Sequence, residues 1–311
     1  MDLLHSEQIK EGKRFSFGEN WAQFLKNLNE DRIRKAEKSL CQKLDVENLQ
    51  GKRFLDIGSG SGLFSLAARR LGATVHSFDY DPESVACTLY LKEKFFPDDD
   101  DWVVESGSVL DKEYLDSLGQ WDVVYSWGVL HHTGNMQQAF ENVSDLVVDR
   151  GKLFIAIYND QGGNSRRWLK VKQIYNKLPS ALRGLVLVPA FIVQWGPATL
   201  RDFLIGKPFH TARNYGRVRG MSLWRDVVDW VGGLPFEVAS PEEVFRFFKR
   251  KGFRIEEFTT QAGGSGCNEF VFRRERNMCV NKSLAGLPVY MLFTEAVPFF
   301  DVFCESCSVI A

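Results

Sequence analysis

Between Phe54 and Pro82 the chain reads FLDIGSGSGLFSLAARRLGATVHSFDYDP. Gly58, Gly60 and Gly62 alternate with Ser59 and Ser61 just after Asp56, and Asp79 follows 21 residues after Gly58. Glycine reaches positive φ and has no Cβ, so such a turn bends sharply and lets a ligand come close to its backbone. A nicotinamide dinucleotide would use GxGxxG, whose sixth residue packs helix on strand. Leu63 stands at that place, and the spacing is GxGxG. A carboxylate at Asp56, at the strand end, would repel a pyrophosphate and would suit a cation. Asp79 lies where a carboxylate can accept both hydroxyls of a ribose. Further on, WGVLHHTGN carries His131 and His132, the side chains best suited to take a proton near neutral pH.

The surrounding pattern supplies the elements that hold these groups. FLDI and TVHSFD read as strands, with LFSLAARRLG between them as a helix stopped by Gly72, and Pro82 opens the helix PESVACTLYLKEKF. WVVESG, WDVVYSW and KLFIAIYN are further strands, with a helix from Met136 to Val148 before the last of them. Such alternation implies parallel strands, right-handed crossovers and a ligand beyond their carboxyl ends where the order reverses. After Asn159 the rhythm breaks for a stretch rich in Trp, Tyr, Arg and Gly. It returns at SPEEVFRFFKRKG, a helix with a Ser240 and Glu243 capping box and a stop at Gly252, followed by the strands FRIEEFTT and NEFVFRR.

The expected fold is thus α/β, a Rossmann-like doubly wound seven-stranded sheet, mostly parallel with an antiparallel last strand, plus a helical insertion and an N-terminal helical segment. Its expected divisions are an N-terminal helical lid (1–50), the ligand-binding core (51–160), an inserted substrate or cap region (161–235), the end of the core (236–275) and a C-terminal tail of unassigned role (276–311). The N-terminal unit carries one charged helix, AQFLKNLNEDRIRKAEKSLCQKL.

Composition narrows the class. Of 311 residues 44% are hydrophobic and 25% charged, and the formal net charge of −1 argues against a nucleic-acid binder that relies on a general basic field. The N-terminus has no apolar core followed by a small-residue cleavage site, which makes the cytoplasm the expected location. The scattered cysteines read as reduced thiols; the CxxC of Cys304 and Cys307 lacks two matching ligands, and no metal site is expected. GLVLVPAFIVQWGPATL, from Gly184 to Leu200, is interrupted by Pro189, Gly196 and Pro197. It is expected to fall short of a bilayer span and to form a buried helix pair, the competing reading being a wall for an apolar substrate or a membrane-facing lip.

DIGSGSG, FDYDPESV, GSVLD, WDVVYSWGVLHHTGN and GKLFIAIYN together resemble the class I S-adenosylmethionine-dependent methyltransferases, over residues 53 to 159, and Ser240 to Arg273 resemble that family's closing elements. VLHHTGN, DWVGG and GCNEF look most like bacterial small-molecule and quinone-ring methylases. The resemblance implies S-adenosylmethionine as cofactor. Gly58, Ser59, Gly60 and Gly62 would pass under its methionine moiety and Asp56 would hold the ammonium. Asp79 would hold the ribose, Tyr80 would line the adenine face, Ser108 and Val109 would border the adenine edge, and Ser126 and Trp127 would meet the methionine end.

Methyl transfer needs acceptor and methyl held close and collinear, and a hydroxyl acceptor also needs a base. Only one of two adjacent histidines is expected to face the pocket; likeness to relatives with a single histidine there selects His132 over His131. Glu237, and then Asn268, are the next candidates. Asp226 and Asp229, three apart on one helix face, are expected on a solvated surface, while Trp224, Trp230 and Phe236 between them suit an aromatic or apolar small-molecule acceptor. Competing functions are a nucleotide-dependent oxidoreductase and a non-catalytic binding module. Peripheral membrane contact and oligomeric state stay open.

Overall fold

The computed structural model describes residues 2–213 and 223–276. The Cys304/Cys307 pair, Cys279 and all but the first residue of the expected tail lie outside the described residues.

The core is a seven-stranded sheet: β1 (Arg53–Ile57), β2 (Thr74–Asp79), β3 (Trp102–Ser106), β4 (Trp121–Trp127), β5 (Val147–Tyr158), β6 (Phe253–Thr259) and β7 (Cys267–Arg274). Their order is β3-β2-β1-β4-β5-β7-β6. The first five are parallel to one another, and β7 runs antiparallel to both β5 and β6. The period of two along each strand sorts the core onto two faces. Leu55, Ile57, Val124, Leu153 and Ile155 pack with α6 (Lys112–Leu118), α7 (Met136–Asp145) and α11 (Pro241–Arg250). Phe54, Val123, Tyr125 and Phe154 pack on the other face with α3 (Glu30–Leu44), α4 (Leu63–Arg70) and α5 (Pro82–Phe95). The order reverses between β1 and β4, and the crevice beyond their carboxyl ends is where such a sheet takes a ligand.

Before the sheet lie α1 (Asp2–Lys10) and α2 (Gly18–Leu25). The single charged helix expected there is two, because Asn29 leaves the helical region and accepts Arg32 N–H, capping α3 afresh. Between β5 and α11 stand α8 (Gly163–Lys177), α9 (Gly184–Leu204) and α10 (Leu223–Gly232), joined by a small apolar cluster around Tyr175, Leu187, Val227 and Val231.

The apolar run from Gly184 to Leu200 departs from its expected form. It is one continuous helix through Pro189 and Pro197, and Leu185, Val188, Ile192 and Leu200 face outward instead of forming a buried pair. From Ser180 to Leu204 this stretch is long and apolar enough to cross a membrane by length and composition.

Candidate functional site

A cavity of about 1170 Å³ opens at the carboxyl ends of β1, β2 and β4. The glycine turn forms its floor. Gly58, Gly60 and Gly62 have φ of 76°, 54° and 77°, which a side chain would strain. A Cβ at Gly58 would sit 2.5 Å from the Val129 methyls, and one at Gly60 3.0 Å from the Trp21 indole. The turn's own amides are largely spent on β2: Gly58 and Ser59 donate to Phe78 O at 2.8 and 3.2 Å, and Gly60 donates to Asp79 Oδ2 at 2.9 Å. What glycine supplies here is close approach more than free donors.

Asp56 is 2% exposed on the α4 face of β1 and lines the cavity. A chain of hydrogen bonds orients it: Trp102 Nε1 donates to Ser77 Oγ at 2.9 Å, Ser77 to Ser65 Oγ at 2.8 Å, and Ser65 to Asp56 Oδ2 at 2.5 Å. Burial without a counter-charge raises its carboxyl to about 7, against the Ser65 bond, which lowers it. Asp79 also lines the cavity, and burial raises it to about 6 although it accepts Gly60 N–H and Asp81 N–H, each at 2.9 Å. Tyr80 lies beneath the Arg14 guanidinium, 4.6 Å from ring centre. Ser108, whose Oγ accepts Leu110 N–H, and the buried Val109 continue the wall after β3.

At the end of β4 the two expected residues part. Trp127 lines the cavity, its indole donating to Glu269 Oε1 at 3.1 Å. Ser126 is 0% exposed, donates to Ile57 O at 3.1 Å and is outside the lining, because alternation puts it on the face it shares with Val124.

The histidines also part. His132 lines the cavity beside Phe17 and Tyr158. Its Nδ1 lies 2.5 Å from Pro235 O, and a carbonyl can only accept, so the proton sits on Nδ1 and Nε2 keeps its lone pair. Burial lowers it to about 3, and the Lys172 and Arg14 cations push the same way. His131 is fully buried outside the lining, its ring tilted against Tyr158 with centroids 4.0 Å apart, and its pKa is driven well down by burial. Glu237 does not reach the cavity: its carboxylate accepts Gly134 and Met136 N–H at 3.1 Å, tying the histidine loop to the start of α7. Asn268 is buried too, holding Gln261 N–H and Asn159.

Asp226 and Asp229 line the cavity instead of a solvated face. Asn20 Nδ2 donates to Asp229 Oδ1, and burial raises the Asp229 carboxyl. Nearby Lys172 is fully buried, its Nζ donating to Trp230 O between the Trp230 and Phe236 rings, and burial pushes its ammonium down. Trp230 lines the cavity, whereas Trp224, 46% exposed, does not.

Sequence reasoning missed Arg14, Phe15, Phe17 and Trp21, which close the cavity from the N-terminal segment, and Trp168, Gln194 and Trp195 from α8 and α9. Phe15, Phe17 and Trp21, clustered within seven residues of an otherwise polar stretch, were the available signal.

Among the described residues six aspartates and one arginine line the cavity, an imbalance that fits a positively charged ligand. A doubly wound sheet with a glycine turn, a strand-end acid and this charge defines a binder of a cationic nucleoside. The chain belongs to the methyltransferase domain family, which matches residues 28–183, and it is a class I S-adenosylmethionine-dependent methyltransferase fold with S-adenosylmethionine as cofactor. The oxidoreductase alternative is not favoured.

Among similar proteins, the ubiquinone biosynthesis O-methyltransferase of Escherichia coli is 30% identical over 155 residues, 47% of this chain and 61% of that one. The ribosomal protein L11 methyltransferase of Methylococcus capsulatus is 47% identical over 53 residues, 16% of this chain and 18% of that one. Each match spans less than two thirds of the relative's length. Among solved structures, the magnesium protoporphyrin IX methyltransferase of Synechocystis with bound SAH has a TM-score of 0.47 at 13% identity, covering 80% of this chain and 86% of that one.

Proposed function

We propose that the protein methylates an oxygen of a small aromatic or apolar acceptor. S-adenosylmethionine supplies an electrophilic methyl on a sulfonium. Asp56 would hold its ammonium and Asp79 its ribose, with Gly58, Ser59, Gly60 and Gly62 beneath, and Tyr80, Ser108, Val109 and Trp127 around it. The aspartate-rich lining and the side-chain-free turn support that assignment.

The observation that carries the oxygen reading is His132, neutral, with Nδ1 engaged by Pro235 and Nε2 left as an acceptor in a cavity wall. Burial keeps it deprotonated across the physiological range, so its unprotonated nitrogen can accept a hydroxyl proton as the new bond forms. Phe17, Tyr158, Trp168 and Trp230 give the acceptor apolar surface and keep water out. The Lys172 cation is spent on Trp230 O, so it serves as a positioning residue for α10 and not as a second acid.

Incubation of the protein with methyl-labelled S-adenosylmethionine and a metabolite extract tests the reading. Label in an alkali-stable ether of an apolar phenol or alcohol is the expected product; label only on nitrogen or carbon would overturn the oxygen assignment.

A further inference from the structure

The outward side of α9 carries Leu185, Val188, Ile192, Leu200, Phe203 and Leu204 at helical spacing, with Leu185 71% and Leu204 79% exposed. Its inward side is used: Leu187 and Ala190 pack with Val227 and Val231, and Gln194 and Trp195 line the cavity. Exposed apolar residues are usually scattered singly, and a continuous stripe along 21 residues marks a surface that meets something apolar.

The charge around it says what. From Gly163 to Arg213 the chain has nine Lys or Arg against one acid, Asp202, in a protein of net charge −1. That acid is 1% exposed and turned onto Thr211. Arg166, Arg167, Lys170 and Lys177 are exposed on α8, and Lys207 just beyond α9. A second copy of this surface would bring the same basic excess against itself, and nucleic acid would not cover the apolar stripe. An anionic lipid surface matches both.

We propose that α9 lies in the plane of an anionic membrane surface, its apolar stripe at the boundary of headgroups and acyl chains and the basic residues of α8 and Lys207 among the headgroups. The inward packing fixes α9 along the surface instead of through it. Val193, 67% exposed and also a cavity residue, then brings the cavity to the lipid boundary. The docking rests on this surface alone and does not depend on the acceptor or the reaction.

Sedimentation of the full chain with phosphatidylcholine vesicles, with and without phosphatidylglycerol, is the test. Binding is expected with the anionic vesicles, weak with the neutral ones, and reduced by added salt. Ile192→Glu and Leu200→Glu are each expected to lower partitioning roughly tenfold or more. Tyr90→Glu, on the exposed side of α5, is expected to leave it unchanged. S-adenosylhomocysteine calorimetry verifies that each variant is folded, and the wild-type salt titration decides the matter if one is not. The proposal is overturned by failure to bind anionic vesicles, by equal binding to neutral ones, by α9 variants that bind as wild type, or by a dimer that Ile192→Glu splits.

Discussion

Acidification from pH 7 to pH 5 is expected to weaken S-adenosylmethionine binding by about fiftyfold through Asp56 alone. Its carboxyl, raised to about 7 in the ligand-free protein, is half ionised at pH 7 and about one part in a hundred ionised at pH 5. A ligand ammonium that needs the anion binds only the ionised fraction, a loss of ~2.3 kcal/mol. The ligand's own amino group stays protonated over that range, so the titration belongs to the protein. Asp79, raised to about 6, adds up to about another tenfold by pH 5. Calorimetry across pH in two buffers of different ionisation enthalpy reads both the affinity and the proton released on binding. Asp56→Asn is expected to bind more weakly at pH 7 and to have a flatter profile. A dissociation constant that moves less than about threefold between pH 7 and pH 5, with no proton released, would refute the reasoning, because Asp56 would then be ionised already or remote from the ligand.

The same carboxylate gives a stability prediction of opposite sense. A folded pKa of about 7, above the unfolded value of 3.8, means that stability is fully present below pH 3.8 and is lost as pH rises through 7. Asp56→Asn is therefore expected to stabilise the ligand-free protein at pH 8 by on the order of 4 kcal/mol before discounting for relaxation, read as a higher Tm, and far less at pH 4; a scan showing no gain at pH 8 counts against the burial cost. Gly58→Ala forces a φ of 76° on a residue with a Cβ and drives that atom into Val129 at 2.5 Å, so cofactor affinity is expected to fall more than about tenfold with a lower Tm, and wild-type values of both would show the turn is not tight. His132→Gln is expected to cut kcat by about a hundredfold and leave S-adenosylhomocysteine affinity unchanged. With the folded His132 pKa at about 3, the wild-type rate should show no inflection near 6.5 from this group, and full activity in the variant would remove it as the base.

Much of the β1 to β5 half was legible because each of its signals is local. DIGSGSG specifies its own turn and Asp79 closes a strand of plain alternation; beyond the insertion, the Ser240 and Glu243 capping box likewise forms as the spacing demands, both bonds being present. Selecting Ser126 overlooked the same alternation, which turns it away from Trp127. The lid contacts were not legible, since Arg14 reaches His132 O across 118 residues and no periodicity encodes such a pairing. Nor was the orientation of α9: a run apolar on every side reads alike whether its neighbours or its environment cover it, and only the packing of Leu187 and Ala190 separates the sides. Asp226 and Asp229 show the converse, for a helix that looks solvated by spacing has its acidic face turned into a cavity by the fold.

The distribution of charge within the cavity sorts its two ligands. At the β1 and β2 end Asp56, Asp79 and Asp81 stand around the glycine turn, and burial raises the carboxyls of Asp56 and Asp79. A cationic ligand would offset the burial cost of these carboxylates once they are ionised. Toward α8 and α10 the surface turns aromatic, and burial pushes both Lys172 and Asp229 toward their neutral forms against the attraction between their charges. An acceptor bearing a carboxylate would meet repulsion from the first region, and in the second Lys172 is committed to Trp230 O. On the proposed reading a neutral ring with one hydroxyl meets neither obstacle, and its proton would pass to His132, which burial keeps unprotonated.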